Sequence, residues 1–403
     1  MKKSWNEVAI GEIAKPISRP IDVLPGQTYR TIGVKWWGEG AYERETNDGS
    51  RTAARTLSRV CAGDLIINKI WVRHGSTAIA SAAVDGCAAS GEFPTFELDG
   101  NQVIPKWIHW QTKTRGFWTK CDALSRGTSG KNRIKPELFL TVRIPLPPLA
   151  EQRRVVARIE ELSAQIHEAR TLSQQAVDEA EAIVQARTTN LFDRLDHFDR
   201  VAIRTLGVSE ENPVQTGPFG TQLHASEFVE SGVPVLNVGN VWPSGLRFDR
   251  LDHVLPEKAS QLSRYSLKSG DLLFARSGAT LGKVCLVPDQ CDGWLMTGHL
   301  FRVRFDESRI NNRFAFAALR GARSIHEQVF GQVRGATRPG FNTTLLGNVK
   351  FPLPPLAEQR RIVAELDALQ AEVDALKRLQ AETAAELDAL LPAILDRAFK
   401  GEL

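Results

Sequence analysis

The segment Pro145-Leu-Pro-Pro-Leu-Ala-Glu-Gln-Arg-Arg154 returns residue for residue as Pro352-Leu-Pro-Pro-Leu-Ala-Glu-Gln-Arg-Arg361, ten identities in a row at an offset of 207. Chance does not produce such a match, so the chain is a tandem duplication of a unit of about 200 residues. The same offset carries Gly63-Asp64-Leu65 onto Gly270-Asp271-Leu272 and Phe192 onto Phe399. Whatever one unit folds into, the chain must build twice.

After each proline-rich segment the apolar residues recur in alternating steps of four and three: Val155, Ile159, Leu162, Ile166, Ala169, Ala176, Ala180 and Ile183, then Ile362, Leu366, Leu369, Val373, Leu376, Leu387, Leu390 and Ile394. That spacing predicts two long helices with coiled-coil seams. Pro147-Pro148 and Pro354-Pro355 stand ahead of or in the first turn, and Glu151 and Glu358 follow where the helix dipole favours a carboxylate. About 40 residues at about 1.5 Å each give a helix on the order of 60 Å, a length that suits a spacer. Two units related by a twofold would pair these helices antiparallel.

The blocks between the helices are irregular and rich in glycine. Short apolar runs such as Asp64-Leu-Ile-Ile-Asn68, Asp271-Leu-Leu-Phe-Ala275 and Lys283-Val-Cys-Leu-Val287 read as strands bounded by turns. The expected fold is α+β: two globular mixed α/β domains in tandem repeat (1–145 and 196–350), separated by two long helices (146–195 and 351–403) forming an antiparallel coiled coil.

Charge follows the same division. Residues 1–145 carry a net +7 and 196–350 a net +3, whereas the helical stretches 146–195 and 351–403 carry −2 and −4, for +4 overall. A phosphate-binding surface needs such a local excess. With 42% hydrophobic and 24% charged residues, no apolar run is long enough for a membrane span. The amino terminus lacks the apolar stretch of a signal peptide, which predicts a cytoplasmic protein. The cysteines (Cys61, Cys87, Cys121, Cys285, Cys291) contain no C-x-x-C pair, and His326-Glu327 lacks the second histidine of H-E-x-x-H, so no metal site is expected.

A DNA-modifying enzyme with its own catalytic site is the competing class, and its signatures are missing. Asn212-Pro213-Val214 lacks the second proline and aromatic of an amino-methyltransferase motif. Gly278-Ala-Thr-Leu-Gly-Lys-Val284 has three residues between its glycines and a valine where a P-loop needs Ser or Thr. No catalytic residue is assigned.

The segments Ile144 to Gln152 and Phe351 to Gln359, with Gly217-Pro-Phe-Gly220, Gly270-Asp-Leu-Leu-Phe-Ala-Arg-Ser-Gly278 and the closing Ala398-Phe-Lys-Gly-Glu-Leu403, resemble the specificity (S) subunits of Type I restriction-modification systems over nearly the whole chain. The resemblance implies two target-recognition domains that each read one half of a split double-stranded DNA target. It also implies two methyltransferase (M) and two restriction-translocase (R) partner subunits, the former docking on the helices near Glu151, Gln152, Arg153, Arg154, Glu358, Gln359, Arg360 and Arg361. S-adenosylmethionine, ATP and magnesium would then belong to the partners, with no cofactor in this chain. The two blocks differ, Gly63-Asp-Leu-Ile-Ile-Asn-Lys-Ile70 against Gly270-Asp-Leu-Leu-Phe-Ala-Arg-Ser277, which predicts an asymmetric target.

Candidate DNA contacts are residues whose side chains bond base edges or phosphates. Arg126, Thr128, Ser129, Lys131, Asn132, Arg133 and Lys135 form a glycine-interrupted basic loop, and Arg334, Thr337, Arg338 and Asn342 its counterpart before the second helix. Lys35, Trp36 and Arg44, and then Asn68, Lys69 and Arg73, place aromatics beside cations. The second block offers Thr216, Thr221, Asn237, Asn240, Arg276, Ser277 and Lys283.

Overall fold

The computed structural model describes residues 5–126, 132–208, 212–242, 245–276, 283–330 and 342–403. The chain divides into two compact units, one of residues 1–174 with 380–403 and one of residues 175–379, so the division falls inside both long helices.

In the first unit an antiparallel sheet orders Ala14–Ile17, Thr95–Leu98, Leu65–Ile67 and Thr77–Ile79. All three residues of Leu65–Ile67 are buried, which is why this strand reads as an unbroken apolar run and not as an alternation. A second, five-stranded sheet runs Pro20–Asp22, Thr56–Arg59, Ala88–Ala89, Thr28–Val34, Ala41–Asp48. A two-stranded clasp, Glu7–Ala9 on Arg143–Pro145, ties the start of the unit to the entry of the first long helix, Leu149–Asp193. The core gathers Phe96, Trp107, Phe117 and Phe139 with Val155 and Ile159 of that helix and Leu395 and Ala398 of the second, Leu356–Phe399.

The second unit repeats the frame. Its antiparallel sheet orders Val214–Thr216, Leu300–Val303, Leu272–Ala275 and Val284–Leu286, and its clasp pairs Arg200–Ala202 with Lys350–Pro352. What is attached differs: a four-stranded sheet of Phe228–Val229, Asp252–Val254, Val233–Leu236 and Leu295–Met296, and a small hairpin of Val241–Trp242 with Gly245–Leu246. The clasp strands lie 193 apart in sequence and the Gly-Asp-Leu segments 207 apart, so the second unit carries 14 more residues between them.

The frame's buried carboxylate is kept in both units with different partners. Asp64 accepts from the Cys61 amide and takes Arg19 at 2.6 and 3.1 Å. Asp271 accepts from the Lys268 amide and takes Arg304 at 2.8 and 2.6 Å. A buried carboxylate needs such a partner, and each unit draws it from a different strand end.

Both long helices begin where the prolines predict, at Leu149 and Leu356. Within each unit they run antiparallel. The first unit pairs Arg170 with Asp388 and Arg154 with the Leu403 carbonyl, and the second pairs Arg187 with Glu365 and Glu181 with Lys377. The predicted seam holds through Ile166 and Val373 but ends early. Ile183 is 58% exposed and Leu390 is 44% exposed, at equivalent places in the repeat. Leu391 packs on the core where Leu390 was expected. An α-helix drifts by about 20° per heptad against a strict seven-residue repeat, so over four heptads the seam passes to the next residue.

Candidate nucleic-acid interface

In the first unit the fold merges two sequence clusters into one. Lys35-Trp36-Trp37 forms a tight turn in which Trp37 takes φ 60°, and Gly38 follows at φ 69°. Trp36 packs on Trp71 (ring centroids 4.9 Å apart) and stacks on His74 (5.5 Å). Trp37 meets Trp118 at 5.3 Å. The approach depends on glycine: a Cβ on Gly75, at φ 74°, would lie 2.7 Å from the Trp118 ring. Lys35 is exposed beside this ridge, and Arg73 lies 5.9 Å from the Trp71 ring centroid and 3.9 Å from Asp122. Lys113 and Arg115 join Arg73, His74, Trp37 and Trp118 around a cavity of about 960 Å³. Burial lowers the Lys113 ammonium from its ordinary value. Sequence reasoning missed Trp118, Lys113 and Arg115, although the run Lys113-Thr-Arg-Gly-Phe-Trp-Thr-Lys120 carries the same interleaving of aromatics and cations that flagged the other two clusters.

Several of the remaining candidates of this unit have local contacts. Asn68 accepts from the amides of Ile70 and Trp71, shaping the turn, and Lys69 is half-buried. Arg44 is exposed, 3.8 Å from Glu45. Arg126 folds back onto the carbonyls of Ala123 and Ser125, Arg133 pairs with Glu92 at 3.1 Å, Asn132 is half-buried and Lys135 is exposed. Thr128, Ser129 and Lys131 lie outside the described residues, as do Ser277, Arg334, Thr337 and Arg338.

In the second unit Arg276 lies 5.4 Å from both the Phe219 and Phe301 centroids and donates to the Gly298 carbonyl at 3.2 Å. It lines a cavity of about 660 Å³ with Phe219 and His299. Its neighbour Thr216 is half-buried and Thr221 is exposed. Lys283 lies over the Trp242 ring at 5.0 Å, and Arg247, which sequence reasoning missed, lies over the same ring at 3.8 Å. Asn237 accepts from the Gly239 amide and donates to Asp252, and Asn342 caps the helix Thr343–Asn348. Asn240 is a correction: it is buried, donating to the Arg247 and Arg250 carbonyls and accepting from the Asn237 amide, so its amide is spent within the fold.

The docking candidates divide in the same way. Gln152 and Gln359 are fully buried and face their own units, which corrects their placement on a partner surface. Gln152 accepts from the Ile104 amide (3.0 Å) and donates to the carbonyls of Gln102 and Pro147 (2.8 Å each). Gln359 accepts from the Asn311 amide (2.8 Å) and donates to Arg309 and Pro354 (3.2 and 2.8 Å), the same three partners shifted by 207. Arg153 and Arg360 are exposed. Glu151 pairs with Arg154 and Glu358 with Arg361 on the helix surface, and the Arg361 guanidinium holds the Glu358 carboxyl below its ordinary value. Among the described residues no cluster of His, Cys, Asp and Glu could hold a metal ion, and no helix is long and apolar enough to cross a membrane.

The type I restriction-modification DNA specificity domain matches this chain over residues 225–384. The type I restriction enzyme EcoKI specificity subunit of Escherichia coli (strain K12) is 26% identical over 316 residues, 72% of this chain and 64% of its own length. The StySPI specificity subunit of Salmonella potsdam is 26% identical over 318 residues, 75% of this chain and 66% of its own. The chain thus spans just under two thirds of the length of these relatives. Among solved structures, a chain from work on complex assembly and conformational transition of the type I R-M system superposes with a TM-score of 0.70 at 24% identity, covering 99% of this chain and 98% of that one. The HsdS subunit from Thermoanaerobacter tengcongensis gives 0.58 at 24%, covering 99% and 97%. The fold defines a doubled α+β protein in which each frame is clasped to antiparallel helices. Residues 225–384 match the type I restriction-modification DNA specificity domain, and most of the chain is similar in sequence to type I specificity subunits.

Proposed function

We propose that this chain reads DNA sequence for a type I restriction-modification complex, each unit taking one half of a bipartite, asymmetric double-stranded target, with no catalytic step of its own. The observation that carries this reading is the frame built twice with different sheets attached: sheet order, clasp and glutamine contacts repeat, while the second sheets do not. A protein that must be held alike at both ends but discriminate differently needs that division. The long helices space the half-sites, and their exposed Arg153 and Arg360 with the Glu151–Arg154 and Glu358–Arg361 pairs offer surface to two methyltransferase subunits, with two restriction-translocase subunits completing the assembly. S-adenosylmethionine, ATP and magnesium act on those partners, in the cytoplasm.

The test is co-expression with the neighbouring methyltransferase subunit and single-molecule sequencing of host DNA for methyl-adenine. The expected result is a split motif, two unlike defined runs around a fixed gap, that vanishes when this chain is omitted. Methylation independent of the chain, together with no sequence-selective DNA binding by the assembled complex, would overturn the reading.

A further inference from the structure

Large aromatic side chains on a soluble surface are usually scattered singly, yet Trp36 and Trp37 are adjacent and 43% and 49% exposed. Trp37 is held in the left-handed region, a conformation that a bulky residue keeps only when its surroundings impose it. The surroundings here are aromatic: Trp71 and His74 pack on Trp36, and Trp118 packs on Trp37. Among the described residues no cation lies over either exposed ring, whereas exposed Trp242 of the second unit already carries Arg247 and Lys283. Trp37 lines a cavity with room for a nucleotide together with Arg73, Lys113 and Arg115, and exposed Lys35 immediately precedes the two indole rings.

We propose that the Trp36–Trp37 ridge is a base-stacking element that unstacks one step of the half-site bound by the first unit, receiving the exposed base face on indole while the surrounding cations hold the flanking phosphates. Every base offers a π-face, so such a contact adds affinity and favours deformable steps without reading a base edge. Among the described residues the second unit has no equivalent, since its exposed Trp242 already carries Arg247 and Lys283. This proposal rests on the DNA-reading function above.

The experiment uses the chain assembled with its methyltransferase partners and duplexes carrying the motif found by sequencing, with 2-aminopurine placed in turn along both half-sites. Beyond the target adenines that the methyltransferases flip, wild-type complex should show one further unstacked position, in one half-site only. Trp36→Ala/Trp37→Ala should lose that signal and bind the duplex about tenfold or more weakly, while Trp36→Phe/Trp37→Phe keeps both. Target binding within about twofold of wild type by a folded alanine variant would overturn the proposal and leave the DNA-reading function standing. So would loss of methyltransferase association with DNA contact unchanged, which would make the ridge a protein dock. If the alanine variant misfolds, wild type decides: no unstacked position beyond the flipped target adenines overturns the proposal. A wild-type complex with no preference for the motif duplex would sink the DNA-reading function itself.

Discussion

Gln152 and Gln359 each close one amide donor and two carbonyls between a domain and the start of its helix. Truncation would leave those groups buried without partners, at about 1–3 kcal/mol. Gln152→Ala and Gln359→Ala should therefore lower the urea midpoint by similar amounts, and wild-type midpoints for both would show that the contacts carry no net stability. His109 supplies a pH dependence. Burial, with Lys113 and Lys106 pushing the same way, takes its imidazole from 6.5 down to about 4. Its folded value lies below its unfolded one, so the unfolded chain takes up the proton first as pH falls. Its contribution is complete above pH 6.5 and is lost as pH falls toward about 4. His109→Gln should flatten that limb of a stability–pH profile, and an unchanged slope would place the acid sensitivity elsewhere. At this scale the candidate interface was legible only as clusters. Asn68, Asn237 and Asn342 suit a DNA contact by residue type, yet each accepts a hydrogen bond from nearby backbone. The short amide that suits adenine also suits turns and helix starts, and nothing in the linear sequence separates the two uses.

At the scale of elements, a pattern was readable where burial imposed a period. The frame strands Leu65–Ile67 and Leu272–Ala275 are buried throughout, and both are visible as apolar runs. Ala41–Asp48 is a full strand at a sheet edge, but it is mostly exposed, and its Tyr-Glu-Arg-Glu-Thr-Asn run shows no apolar alternation and only two residues, Tyr42 and Thr46, that favour strands. It is held by backbone pairing to Thr28–Val34, with a register shift at Thr31/Ile32, so its cause lies in a neighbour and not in its own sequence. The helices show the complementary error, since a strict seven-residue count carries the seam onto Leu390 when the drift of a real helix has moved it to Leu391. Leu390→Ala should change the melting of the isolated chain by no more than about 0.5 kcal/mol. Leu391→Ala should be clearly destabilising, because Leu391 packs against the first unit's core. Equal effects would mean that the helix coils enough to keep the heptad phase.

For the whole molecule, duplication explains why so much was legible: a ten-residue identity fixes the repeat, the repeat fixes two frames, and two long seams must be buried somewhere. The sequence does not announce that the compact units cut across the helices. The second unit is one continuous stretch, 175–379, whereas the first needs residues 380–403 to close. Those residues bring Leu395 and Ala398 into its core, set Phe399 against Trp107 at 4.9 Å, pair Asp388 with Arg170 and offer the Leu403 carbonyl to Arg154. Deleting 380–403 should therefore bare the faces of Val155, Ile159 and Trp107 and lower the stability of the first unit, while the second keeps its own sheets, clasp and helix pair. Calorimetry of the deletion should resolve two transitions, one moved to lower temperature and one retained. Amide exchange should place the early opening at Ile10, Phe96 and Trp107 and leave Phe274, Phe301 and Phe314 protected, since each set belongs to a separate core. A single transition carrying both sets of amides together would mean that the long helices fuse the two cores into one cooperative unit, and destabilising either unit would then unfold both.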